Sequence, residues 1–363
     1  MYMLLLLIFL PVILITVMTP YVTRKTESFG VTIPYGVYKH PEVIFFRKTY
    51  AWQTGFTGII LVIFLAVCAK FVSEESWALV FTIGLFLYFI FSFIVYLRFH
   101  VKMKELKKKE KWHEKQKEVL AIDMDFYHKK LTYSNGWFAI PLAITVFNFF
   151  WTWFNYDRFP EMLPMQYSFD GHVTTWAVKS PGTLLAFPLT QLFLTGLFLL
   201  SNTIIRRSKQ QIDPEHPEQS VSQNIIFRRR WSLFTIISGT LVVSLFLVPQ
   251  ITFIYPVKPI FLFVIVFGIT AAIIFGALAI AVTTGQGGSR IKTALDKNGR
   301  VMNRDDDQYW KLGIFYFNPD DPAVWVEKRF GVGWTCNFAR PASWLFLTAV
   351  LLIPVLIAFF TYK

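Results

Sequence analysis

Long apolar runs separated by short polar connectors fill most of the chain, and the pattern breaks only toward its C-terminal end. A helix needs about 20 apolar residues to cross a hydrocarbon core. Eight runs come close to that length: Tyr2–Thr19, Ala51–Val72, Trp77–Leu97, Trp137–Phe154, Gly182–Thr203, Trp231–Ile254, Pro259–Thr283 and Ser343–Thr361. Trp77, Trp137, Trp231, Tyr255 and Tyr362 stand at or beside their ends, where an interfacial aromatic belt is expected. The pattern predicts a mainly α, polytopic membrane protein with eight transmembrane helices.

The break is Asp305–Pro341, a long polar and aromatic insert between the last two runs. Trp310–Phe317 is rich in aromatic and β-branched residues, and Asn318-Pro319-Asp320-Asp321-Pro322 is dense turn chemistry. Ala323–Lys328 and Trp334–Phe338 read as two further strands across a turn at Gly331 and Gly333. A small three-stranded β module is expected here, and a sheet of that size needs a surface to pack on. Trp310, Asn318, Asp321, Arg329, Trp334 and Asn337 are its candidate functional residues.

Composition agrees with the pattern. The 363 residues are 54% hydrophobic and 16% charged, against about 45–50% and about 25% in soluble domains. The net charge of +13 does not call for nucleic acid, because the basic residues fall in alternate loops. In chain order the seven loops carry five, none, eleven, two, six, one and nine Lys plus Arg. Loops one, three, five and seven are therefore expected in the cytoplasm, with both termini outside. The β module then lies in the last cytoplasmic loop. The N-terminal run lacks a preceding basic residue and a small-residue cleavage site, so a retained helix is expected rather than a signal peptide. Cys68 falls inside a run and Cys336 in the insert, which gives no basis for a disulfide framework. Lys102–Lys117, with eight Lys and interleaved Glu105, Glu110 and Glu114, reads as a helix continuing out of the third span. Its basic face suits anionic membrane lipids.

The chain organises into segments 1–136 (three spans and the basic loop), 137–205 (a helix pair with an outer loop), 206–304 (two spans and a glycine-rich exit), 305–341 and 342–363. Gly268, Ala272 and Gly276 recur at a spacing of four, a helix-packing pattern. Asn148, Gln191, Asn202 and Gln250 are the polar residues in or near spans, and no span has an acidic residue at its centre, which weakens an ion-coupled transporter reading. In the outer loop, Pro164, Asp170, Gly171, Trp176 and Lys179 are candidate ligand contacts, with Asp170-Gly171 a tight turn and Lys179 a basic anchor for headgroups. Gly285, Gly287, Gly288 and Arg290 form a candidate anion or lipid-headgroup site, although this is no P-loop. The Asp305–Asp307 run with Asp320 and Asp321 fits no Ca²⁺ loop, His172 stands alone, and no catalytic constellation can be assembled. No metal, cofactor or enzymatic activity is expected.

The outer loop resembles a bacterial membrane domain that forms the N-terminal part of SdpI-type immunity and signalling proteins. The resemblance covers residues 137–205 and rests on Pro164, Gly171, Trp176 and Lys179, with Gln166 where relatives often carry His. The insert resembles a second uncharacterised domain found at the C-terminal end of such proteins. It does so through Tyr309-Trp310-Lys311-Leu312-Gly313, Tyr316, Asn318-Pro319, Asp321-Pro322, Val326-Glu327-Lys328-Arg329, Gly331, Gly333-Trp334 and Asn337. The SdpI-type resemblance implies a sensory, regulatory or immunity protein. Its outer loop would meet an extracellular peptide, and its insert would report inward or bind a cytoplasmic regulatory protein. A small-molecule or lipid permease is the alternative.

Overall fold

Local chemistry sets the helix boundaries. The first run opens as a π-helical turn, Leu5–Phe9, and continues as α1 (Leu10–Val22). α2 (Pro41–Cys68) starts on a proline, whose missing N–H is no loss at that position. α3 (Glu74–Lys109) is capped by the Ser73 hydroxyl, which accepts from Ser76 N at 3.4 Å. It ends on Lys107, Lys108 and Lys109, where the helix dipole favours cations. At 36 residues it exceeds what a span needs, so the third run does continue outward as a helix. The computed structural model describes residues 5–112, 130–168, 171–209, 217–291 and 306–361; Asp170, Asp305 and the later part of the basic loop lie outside them.

Among the described residues seven helical stretches are long and apolar enough to cross a membrane: Pro41–Cys68, Ser76–Lys109, Asn135–Phe154, Pro181–Arg207, Gln219–Ile254, Pro259–Gly288 and Pro341–Phe359. The first of the eight expected runs is a shorter apolar helix, Leu7–Val22. The remaining elements are α4 (Ala139–Phe154), α5 (Pro181–Arg207), α6 (Pro217–Leu245), α7 (Leu247–Ile254), α8 (Pro259–Thr284) and α9 (Pro341–Thr361).

The chain divides into two units. Unit 1 is Met1–Leu131, Ser208–Arg228 and Ala277–Arg340. Its ribbon β1 (Glu27–Ser28) and β2 (Val31–Thr32) turns at Phe29-Gly30, both in the left-handed region. Phe29 stacks on Phe99 and Phe330 with centroids 5.4 and 5.6 Å away. The second left-handed turn, Leu312-Gly313, meets the first. A Cβ on Gly30 would come 2.6 Å from Gly313 Cα and from Tyr96 Oη, so only glycine allows this approach. Tyr96 donates to Leu312 O at 2.9 Å, and His100 Nδ1 lies 2.7 Å from Phe29 O.

The same turn corrects the expected three-stranded sheet. Left-handed Leu312 (φ 52°) folds the first predicted strand back on itself, giving β5 (Trp310–Lys311) antiparallel to β6 (Phe315–Tyr316). A second ribbon pairs β7 (Trp325–Glu327) with β8 (Trp334–Cys336), and a parallel bridge, Tyr316 to Asn337, links the ribbons. Neither cysteine is in a disulfide.

Unit 2 is Thr132–Arg207, Arg229–Gly276 and Pro341–Lys363. Between α4 and α5 stands a hairpin of β3 (Met162–Tyr167) and β4 (Val173–Val178). Inside α5, Pro188 has no N–H for the carbonyl four residues back, Leu184 O. Buried Gln250 on α7 supplies the missing donor at 2.7 Å. Such repair by a neighbouring helix is what hydrocarbon demands of a proline-bearing span. Pro249 accompanies a second interruption, so the predicted helix Trp231–Ile254 is broken at Phe246. Asn148 donates to Gln191 Oε1 at 2.9 Å, and Gln191 in turn to Val243 O at 2.9 Å. Of the small-residue row, Gly276 packs on Phe234 whereas Gly268 faces open space.

Gln250→Leu is therefore expected to cost about 1 kcal/mol, the scale of an interhelical hydrogen bond. In a Pro188→Ala background, where residue 188 regains its N–H, the cost should fall toward zero; thermal unfolding of the four proteins in detergent closes the cycle.

Candidate functional site

The insert of unit 1 is organised by charge as much as by strands. Glu327, the last residue of β7, is fully buried, as is Arg228 in the first half of α6. The Glu327 carboxylate pairs with Arg24 from the segment after α1 and lies 3.5 Å from Arg228. Asn224 donates to it at 2.8 Å and Gln286 at 3.4 Å. Gln286 also brackets Gly333, donating to its carbonyl at 3.0 Å and accepting from its N–H at 2.7 Å. Arg228 is held in turn by Asn224 Oδ1 at 2.6 Å and Ser208 O at 3.1 Å. A buried charge is tolerable only when paired and hydrogen-bonded in this way.

A second knot lies around Arg329, which is 2% exposed. It pairs with Asp306 and Asp307, donates to Gly30 O at 3.3 Å and lies over the Trp310 ring. Asp307 also takes Lys107 at 2.7 Å and the Thr32 N–H at 3.0 Å. Burial raises the Asp307 pKa, but Arg329 and Lys107 outweigh it and hold the group well below the carboxylate range. Asp306 and Asp307, two of the aspartates weighed for a divalent ion, are thus partners of an arginine and a lysine. A third knot joins Lys209 to Asp321 at 2.5 Å, with Tyr316 donating to the same carboxylate at 2.7 Å. Asn337 closes the Asn318 turn in both directions, at 2.8 and 3.1 Å, and Trp334 packs on Phe227. All six candidate residues of the insert therefore meet in one module.

Glu27 is the exception to this pairing. It is 8% exposed, its Oε2 has no hydrogen-bond partner, and its cross-strand neighbour Thr32 has an unpartnered Oγ1. Burial pushes its pKa up from 4.5 to about 7, against the lowering pull of Arg24 and Arg329 and with the help of Asp306 and Glu327. Four carboxylates (Asp306, Asp307, Asp321, Glu327) are thus paired with five cations (Arg24, Lys107, Lys209, Arg228, Arg329), and Glu27 stands beside them outside the ion pairs.

The glycine-rich exit serves the same module. Gly285, Gly287 and Gly288 all have positive φ, and a Cβ on Gly287 would meet Glu327 Oε2 at 2.9 Å. Arg290, a candidate for an anion, donates instead to Val282 O (3.0 Å) and Tyr21 O (2.5 Å), carbonyls in the last turns of α8 and α1. In unit 2, Pro164 and Trp176 are register partners on the hairpin, Gly171 takes φ 92° at its tip, and Trp176 is half exposed. Gln166 accepts from Thr175 at 3.0 Å. Lys179 is spent on the hairpin base, where it donates to Phe159 O at 3.0 Å beside Glu161. Arg24, Glu27, Lys107, Asn224, Arg228 and Gln286 were not marked as site residues by the sequence, and Glu327 entered only through the C-terminal resemblance; the one visible signal was Asn224 and Arg228 four apart in a basic helix start.

Fold and site together define a multi-span helical membrane protein with an ion-paired insert ahead of its last helix. Residues 319–344 match a family of unknown function (DUF5808), a stretch that holds Asp321, Glu327, Arg329 and Asn337. No curated protein and no solved structure matches the chain.

A carboxyl whose folded pKa lies above its unfolded value stabilises the fold below the unfolded value, and that stabilisation fades as pH rises through the folded one. Between pH 4.5 and about 7, Glu27 should therefore make unit 1 less stable as pH rises, by on the order of 3 kcal/mol. Glu27→Gln should flatten this slope and raise the unfolding temperature at pH 8; an unchanged slope would rule Glu27 out as its source.

Proposed function

We propose that the chain is a regulatory or immunity protein of the bacterial plasma membrane. In this reading the hairpin around Trp176 meets an extracellular peptide, and the ion-paired insert is the element whose state is reported in the cytoplasm. The observation that carries it is the buried, ion-paired module. Ion pairs of this kind contribute little net stability compared with apolar packing, and their best-attested use is to specify one arrangement against another. An unpartnered carboxyl within the module gives that arrangement a second state to move to. The SdpI-type pattern at Pro164, Gly171, Trp176 and Lys179 supports the same reading. The topology that goes with it has eight spans, α1 being the first, with both termini outside. A permease of small molecules or lipids is the second reading, favoured by the buried amides of unit 2, where Asn148 Oδ1 and Gln250 Oε1 are left without partners.

A strain lacking the protein, challenged with extracellular peptide toxins, should regain survival with the wild-type chain. Trp176→Ala and Glu327→Gln should each lower that survival at least tenfold at equal membrane levels. Survival unaffected by deletion would remove the immunity reading, and solute uptake by proteoliposomes would favour the permease. The topology has its own check in a Cys68→Ser, Cys336→Ser background. Thr174→Cys should react with an impermeant maleimide on intact cells, and Lys311→Cys only after permeabilisation.

A further inference from the structure

Unit 2 contains a partly open cavity of about 490 Å³ beneath its hairpin. Tyr167 from β3, Phe187 and Thr190 from α5, Pro249 and Phe253 from α7 and Val266 from α8 line it. Two prolines and one amide build it. Pro188 sits in the wall helix α5, and Pro249 lies just beyond the break that separates α6 from α7. Gln250 then ties α7 to Leu184 O at the Pro188 gap, which fixes the two interrupted helices in place. Phe187 and Phe253 meet edge to face at 5.8 Å across the floor. The hydroxyls of Thr190 and Thr252 are both spent on carbonyls of their own helices, Ala186 O at 2.8 Å and Pro249 O at 3.1 Å. Apart from Tyr167, the aromatic and aliphatic side chains of these walls offer no hydrogen bond to a polar ligand, which favours hydrocarbon there.

What reaches such a cavity follows from its surroundings. The helix faces beside it expose Leu189 and Leu192 on α5 and Ile260, Phe261 and Val264 on α8, the apolar surface that a membrane-spanning helix presents to lipid. We propose that this cavity takes one acyl chain of a membrane phospholipid, seated under the β3–β4 hairpin. The site is independent of the regulatory reading, and its test needs no functional assay.

The test uses the full chain in nanodiscs of phosphatidylcholine whose acyl chain carries a photoactivatable diazirine, with adducts mapped by peptide mass spectrometry. Adducts on residues 163–167 and 245–253 are expected at five or more times the density found on lipid-facing residues 344–356 of α9. Thr190→Trp and Val266→Trp, which place a ring in the cavity, should each reduce the cavity adducts at least fivefold and leave those on α9 unchanged. Val266 is 42% exposed at the rim, so its variant keeps the test available if Thr190→Trp does not fold. An even density over both regions, or tryptophan variants that change nothing in the cavity, would overturn the proposal.

Discussion

A carboxylate taken out of water loses several kcal/mol of hydration unless cations and hydrogen-bond donors replace it. Glu327 meets that demand with partners from three segments far from it in the chain: Arg24, Asn224 with Arg228, and Gln286. Two of these partners are themselves committed elsewhere. Arg228 is fixed by Asn224 and Ser208, and Gln286 by both backbone groups of Gly333. One side chain thus holds the segment after α1, the start of α6, the glycine-rich exit and the second ribbon in register. The ribbons have two or three residues per strand, too few to stand alone. They are stable because ion pairs and the stacked rings of Phe29, Phe99 and Phe330 give them a surface.

The same constraint shapes unit 2 in neutral form. In hydrocarbon each freed backbone group must find a donor or acceptor. Pro188 frees Leu184 O, and Gln250 answers it. The few polar side chains of the apolar runs are therefore spent mainly on holding helices together. Gln191 is one of them, with Asn148 on one side and Val243 O on the other. The kinks they stabilise leave a mainly apolar cavity beneath the hairpin.

The helical runs were readable because a span is a local property of about 20 residues, visible in composition alone. Seven of the eight expected runs are long apolar helices, and the first is a shorter one. The interruption at Phe246 was foreshadowed by Pro249. The insert was readable as strand-forming but not as two ribbons, because a non-glycine residue, Leu312, takes the left-handed conformation that folds its first strand back. Members of the ionic network such as Asp321 and Arg329 were readable, but its pairings were not. Arg24 and Glu327 are 303 residues apart, and nothing local marks one as the partner of the other. For the same reason Lys179 and Arg290 looked available for headgroups or anions, although each is already committed to backbone carbonyls. Free-looking charge in a sequence is charge whose partner lies elsewhere.

The central claim is that Glu327 ties four distant segments into one arrangement. Hydrogen–deuterium exchange on the full chain in nanodiscs, wild type against Glu327→Gln, tests it most directly. The account predicts that amide exchange rises together in residues 20–33, 219–228, 284–291 and 325–337. A rise confined to the immediate neighbours of residue 327 would contradict it.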